Sequence, residues 1–228
     1  MVDVQRGLVY FIAANPSIER HLYSVPLPTS LSQLSELRAG KTKPVAPTAL
    51  SETKERGHYS VSFSPFGGIY QLNYEGPGIP WQKLVKVDDP DFTHVLTNNS
   101  ALRTIDSGFQ RAEVSYPTIS IDSLLKTDVD STKEKKIELN LMELRPPVMD
   151  VSGRTKYPVL FQVYGGPNSQ MVTTKFQRDW QHYICTASGY VIVRVDPRGT
   201  GFRGREHRVL VKNRLGEVER SDVIEAAR

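Results

Sequence analysis

The sequence predicts two modules in series, an antiparallel β module over residues 1–115 and an α/β module over residues 116–228. Three observations carry this reading. Runs such as Tyr59-Ser60-Val61-Ser62-Phe63 alternate apolar and polar residues with the period of a half-buried strand. Turns rich in glycine and proline separate such runs at short spacing, as in sandwiches and propellers. Beyond a boundary near residue 115 the pattern becomes strand, helix, strand, helix, the arrangement of a mostly parallel sheet.

In order along the chain, Leu8 to Ala13 is a continuous apolar run and reads as a buried strand closed by a turn at Asn15-Pro16. His21 to Val25 alternates and is the next strand. Residues 28–57 are rich in Ser, Thr, Pro and charge and read as a loop, in which Leu31, Leu34 and Leu37 stand at helical spacing. Tyr59 to Phe63 is followed by the turn Ser64-Pro65-Phe66-Gly67-Gly68. Ile69 to Tyr74 ends at Glu75-Gly76-Pro77-Gly78, and Trp81 to Val87 is one more strand. Asn98 to Ser107 reads as a linker with a short helix. Pro117 to Ile121 and Ile137 to Leu144 are strands on either side of a charged turn at Asp128 to Lys136, and Arg145-Pro146-Pro147 stops the second. Val159 to Val163 reads as a strongly apolar, buried strand. Phe176 to Ala187 fits an amphipathic helix with Phe176, Trp180, Tyr183, Ile184 and Ala187 on one face. Tyr190 to Val195 is a further buried strand ended by Asp196-Pro197, and a helix starts at Asp222 with Ser221 as its cap.

Composition excludes several classes. With 39% hydrophobic and 24% charged residues the chain is ordinary globular material. The excess of 29 basic over 25 acidic residues is mild and argues against a nucleic-acid partner. Arg198, Arg203, Arg205, Arg208, Lys212 and Arg214 cluster near the C-terminus, but Glu206, Glu217, Glu219, Asp222 and Glu225 are interleaved, which reads as a solvated face. The single cysteine, Cys185, forms no disulfide within the chain. No apolar run approaches the roughly 20 residues of a membrane helix, and no leader peptide follows Met1. The five histidines have no metal-ligand spacing, so neither a metal nor a cofactor is expected.

Four motifs bear on chemistry. Gly199-Thr200-Gly201-Phe202-Arg203-Gly204 matches the dinucleotide fingerprint G-x-G-x-x-G after a strand. It is followed by the charged Arg205-Glu206-His207-Arg208 instead of an apolar helix, which favours a structural loop over a pyrophosphate cradle. No G-x-S-x-G nucleophile elbow occurs. Asn98-Asn99-Ser100 is a glycosylation acceptor triplet, with Asn98 the acceptor. Tyr164 ends the Val159–Val163 strand immediately before Gly165-Gly166-Pro167. Strand C-termini of α/β sheets open onto the ligand crevice, where a phenol can donate to a developing oxyanion; the alternative is a tyrosine that only caps a strand.

The run Tyr157 to Gln170 resembles the start of the catalytic domain of prolyl oligopeptidase-type serine peptidases, in particular the dipeptidyl peptidase IV branch. Other stretches resemble that branch in the same order: Tyr59 to Ser64, Glu75 to Pro80 and Asn99 to Leu102 in its β-propeller, then Phe176 with Trp180 to Tyr183, Val195 to Gly201, Leu215-Gly216 and Asp222 to Ala227. The resemblance implies one or two closing propeller blades over residues 1–115, followed by the N-terminal half of an α/β-hydrolase fold over 116–228, both incomplete. It implies removal of N-terminal dipeptides, X-Pro or X-Ala, from peptides with a free N-terminus by serine acyl transfer. Tyr164 falls on the oxyanion-hole tyrosine. The nucleophile, acid and base, and the acidic pair that holds the substrate amine, are expected outside these residues, so the chain alone is expected to be inactive. The family further implies the secretory pathway, with a vacuolar membrane, cell-surface or secreted location, and a possible homodimer. A non-catalytic member acting as a binding protein shares all these features. A nucleotide-binding oxidoreductase built on Gly199 to Gly204 is the other class.

Overall fold

The computed structural model describes residues 1–122, 136–164 and 166–228. Residues 128–135 of the expected charged turn, and Gly165, lie outside the described residues. Contacts divide the chain into two units, residues 1–106 with 174–176, and residues 107–173 with 177–228. The boundary expected near residue 115 thus lies inside the second unit.

The first unit holds two four-stranded antiparallel sheets. One runs in the order β1 (Val2–Asp3), β2 (Leu8–Ala13), β3 (His21–Pro26), β4 (Thr48–Ala49). The other is the meander β5 (His58–Phe63), β6 (Ile69–Gly76), β7 (Trp81–Lys86), β8 (Asp89–Thr97). Four antiparallel strands in sequence order are the repeating blade of a propeller. The alternation in β5 sets its register: Tyr59, Val61 and Phe63 lie opposite Tyr74, Leu72 and Tyr70, so a one-residue slip would turn this apolar face outward. The resulting core is Tyr10, Leu22, Tyr59, Tyr70, Leu72 and Val85. It is rich in ring contacts, with Tyr10 4.8 Å from Phe63 and Tyr74 stacked 5.4 Å from Trp81.

The loop expected over residues 28–57 contains α1 (Leu31–Arg38), capped where the Ser30 hydroxyl accepts from the Gln33 amide at 3.1 Å. None of its leucines is buried. The loop is fastened by polar groups: the Leu22 amide donates to the Ser51 hydroxyl at 3.0 Å, and His21 bridges Ser51 (3.3 Å) and Glu19 (3.0 Å). β8 was not expected: its residues stand between the strand read at Trp81 to Val87 and the linker read from Asn98. It pairs with β7 alone among the described residues and is exposed along nearly its whole length. An edge strand needs no apolar alternation and tolerates proline. α2 (Ser100–Ser107) forms in the expected linker.

The second unit holds one sheet in the order β10 (Thr118–Asp122), β11 (Lys136–Arg145), β13 (Val191–Asp196), β12 (Val159–Val163), with β9 (Glu113–Ser115) also on β11. Its core gathers Ile121, Leu139, Leu141 and Val195. The expected mostly parallel sheet is corrected: β12 and β13 are the one parallel pair among the described strands, and β9, β10 and β13 all run antiparallel to β11. A helix joins β12 to β13 and permits parallel pairing. Among the described residues β12 pairs only with β13, so Val159 and Val163 are half exposed where a buried strand was expected.

Two helices differ from their expected bounds. α3 covers Trp180–Ser188 and begins four residues after Phe176, because Asp179 caps it by accepting from the His182 amide at 3.0 Å. Arg194, buried on β13, holds that carboxylate at 3.0 Å and Gln162 of β12 at 2.7 Å. The buried face of α3 is His182 and Cys185, while Trp180 and Tyr183, expected in the core, are exposed. After the short α4 (Gly204–Val209), α5 (Glu217–Ala226) begins five residues before Asp222. Gly216 precedes it, and Glu219 reaches back to accept from the Gly216 amide at 2.8 Å. No described helix is long and apolar enough to cross a membrane.

His58 is buried in the first unit, and desolvation, with the charges of Lys175 and Arg20, pushes its pKa down to about 4. The unfolded chain takes up this proton near pH 6.5, so the stability is present above pH 6.5 and lost as pH falls toward 4. Between pH 7 and pH 5 the loss is about 2 kcal/mol. In a protein of residues 1–228, with Trp180→Phe leaving Trp81 as the sole tryptophan of these residues, the urea midpoint read by fluorescence should fall over this range. In His58→Gln the fall should be smaller.

Candidate active site

The site is built where β12 and β13 end. Parallel neighbours finish at the same end of a sheet, and the last pair is Val163 with Val195. The next residues are therefore Tyr164 on one strand and Asp196 on the other. Tyr164 is 58% exposed, and its hydroxyl has no hydrogen-bond partner among the described residues. Its ring lies over Gly166, where a Cβ would stand 2.9 Å from the hydroxyl oxygen. Asp196 is 1% exposed. Burial pushes its pKa up to about 6, opposed by the hydrogen bonds it accepts from the Met171 and Val172 amides at 2.8 and 3.2 Å.

The Gly199–Gly204 segment lies against the Tyr164 turn. The Asn168 amide donates to the Gly199 carbonyl and the Gly201 amide to the Ser169 carbonyl, both at 2.9 Å. A Cβ on Gly201 would lie 2.8 Å from the Asn168 carbonyl oxygen, and one on Gly199, at φ +90°, 2.7 Å from Val211. These glycines admit the protein's own chain where a nucleotide site would admit a pyrophosphate. The following helix, α4, has six residues. The structural loop is the reading that fits.

The basic cluster expected on a solvated face is corrected at its first member. Arg198 is 2% exposed and Asp222 fully buried. The Asp222 carboxylate accepts from the Arg198 amide at 2.8 Å and from its guanidinium at 2.5–3.0 Å. His207 is also buried, with its pKa pushed down to about 4 by desolvation and by Arg203. Charge interleaving alone could not reveal this, since the pairing of Arg198 with Asp222 spans 24 residues.

Asn98 stands exposed in the first unit, between β8 and α2, away in sequence from these loops. Its side-chain oxygen accepts from the Ser100 amide at 3.0 Å, and no hydrogen bond among the described residues uses its amide nitrogen. No group of three or more His, Cys, Asp or Glu side chains placed to hold a metal occurs among the described residues. Sequence reasoning missed Asp196 as a site residue. The signal was a buried-strand run ending directly in Asp-Pro, where a carboxylate has no solvent to face.

Comparison with known proteins gives a consistent result. Residues 1–81 match the model of the dipeptidyl peptidase IV N-terminal region, and residues 175–228 match that of the prolyl oligopeptidase family. A relative from Tuber melanosporum, named "Probable dipeptidyl-aminopeptidase B", is 41% identical over all of this chain and 22% of its own length. A relative of the same name from Colletotrichum graminicola is 40% identical over 99% of this chain and 22% of its own. The chain therefore spans 22% of the length of these relatives. Among solved structures, dipeptidyl peptidase 4 of Porphyromonas gingivalis superposes with a TM-score of 0.74 at 28% identity, over 97% of this chain and 27% of that one.

Removing one partner of a buried ion pair leaves the other charge uncompensated and costs about 3–5 kcal/mol. Asp222→Ala should therefore lower the unfolding free energy by this amount in chemical denaturation. Glu217→Ala, which breaks the exposed pair with Arg214, should leave the midpoint within error.

Proposed function

The chain belongs to the dipeptidyl peptidase IV branch of the prolyl oligopeptidase-type serine peptidases, and on that premise we propose that it is a segment of an enzyme that removes N-terminal X-Pro or X-Ala dipeptides from peptides with a free N-terminus. The observation that carries the proposal is Tyr164: an exposed phenol at the C-terminal end of β12, with no protein partner for its hydroxyl among the described residues, on a turn hydrogen-bonded to the neighbouring loop. A donor held ready in this way stabilises the charge that develops on a carbonyl oxygen when a serine attacks it. The chain contains no G-x-S-x-G, and on the family reading we expect the nucleophile, base and acid in residues outside these 228. The exposed Asn98 triplet supports a glycosylated protein of the secretory pathway, at a vacuolar membrane, at the cell surface or secreted, and a homodimer is the assembly we expect.

Four measurements test this. In the full-length enzyme Tyr164→Phe should lower kcat on the order of 10²–10³, or roughly 2.7–4 kcal/mol, because a donor aimed at the oxyanion acts in the transition state. KM and the melting temperature should stay close to wild type. Near-normal turnover returns Tyr164 to a strand cap, and a full-length protein that no serine-reactive phosphonate labels is a binding protein and no peptidase. Residues 1–228 alone should release nothing from a Gly-Pro chromogenic reporter. Endoglycosidase treatment should increase the gel mobility of the secretory-expressed protein, and Asn98→Gln should remove the part of that shift due to this site.

A further inference from the structure

The reading of Tyr164 as an oxyanion donor leaves open what fixes its position, since the ring is exposed and lies against Gly166 of its own turn. Residues 166–172 are tied to the β13 end by a set of hydrogen bonds, among them one from the Gln170 side chain to the Asp196 carboxylate and four from or to backbone groups. Two of these four are backbone pairs, Asn168 to Gly199 and Gly201 to Ser169. The other two converge on one atom, Asp196 Oδ1, from the Met171 and Val172 amides. Asp196 is the last residue of β13, an interior strand of the sheet, and is paired with Asn140 of β11. Val172 is fully buried, which brings this end of the turn into the interior, where unpaired amides are costly. At the other end Gly166 lies beneath the Tyr164 ring. A shift of residues 166–172 therefore shifts the surface on which the phenol rests.

We propose that Asp196 is a positioning residue for Tyr164, its carboxylate Oδ1 clamping the Met171 and Val172 amides so that the turn holds the phenol where the oxyanion forms. Asp196 touches no substrate in this scheme and acts only through the turn. The inference rests on the oxyanion reading of Tyr164.

The test is steady-state kinetics of the full-length enzyme on a Gly-Pro chromogenic dipeptide. Small misplacements of reacting groups cost up to about 10²-fold. Asp196→Ala should lower kcat on the order of 10-fold to 10²-fold and change KM by less than about 2-fold. Asp196→Asn keeps an oxygen for both amides and should retain kcat to within about 3-fold. In a Tyr164→Phe background Asp196→Ala should have no further effect, since the group it positions is gone. Gly201→Ala pushes on the Asn168 carbonyl, leaves the carboxylate in place, and should show the same kcat loss and the same non-additivity; it serves if Asp196→Ala does not fold. If Tyr164→Phe is impaired and the second substitution multiplies its loss in full, or if Asp196→Ala and Gly201→Ala turn over normally, Asp196 positions nothing. If Tyr164→Phe itself turns over normally, the oxyanion reading has failed, a separate result.

Discussion

Buried backbone amides must find acceptors, and at the end of the β12–β13 pair this constraint organises nearly everything around it. Two parallel strands discharge their loops side by side, away from ladder partners. Carboxylates meet the need from the neighbouring elements. Asp196 takes the amides of Met171 and Val172, and Asp222 of α5 takes the amide of Arg198 together with its guanidinium. Each carboxylate is buried, a state that is costly unless hydrogen-bonded. The loops are thereby fixed by directed bonds as well as by the packing of Val172 and Val211.

The first unit meets the same requirement with different groups. Its two sheets share an aromatic core, but the long connection between β3 and β4 has little apolar surface to bury, and α1 stays exposed. Ser51, His21 and Glu19 fasten that connection where it returns to β3, with the Leu50 amide on the Leu22 carbonyl at 2.8 Å. A loop whose helix buries no residue is thus pinned at its returning end.

The Gly199–Gly204 motif shows how little a glycine pattern says about what approaches the glycine. In a dinucleotide site, backbone without side chains admits a pyrophosphate. In this protein the same spacing admits the Asn168 carbonyl and Val211. The pattern records a demand for closeness, and the neighbour is chosen by the fold.

The order of modules, most of the strands and the place of Tyr164 at a strand end were legible in the residues, because these depend on side-chain periods and turn residues that act over a few positions. The resemblance over Tyr157 to Gln170 was legible for the same reason, as an unbroken local run. Tertiary structure alone decided the rest. β8 was invisible because an exposed edge imposes no pattern. α3 starts at Trp180 because Arg194, on another element, holds its cap, and it turns His182 and Cys185 inward while Trp180 and Tyr183 face out. Arg198 and Asp222 looked like surface charges until the fold brought them together across 24 residues. Asp196 came to stand beside the Tyr164 turn only when β13 was paired beside β12, since a carboxylate's role is set by the donors that reach it, and those donors come from the loop that follows β12.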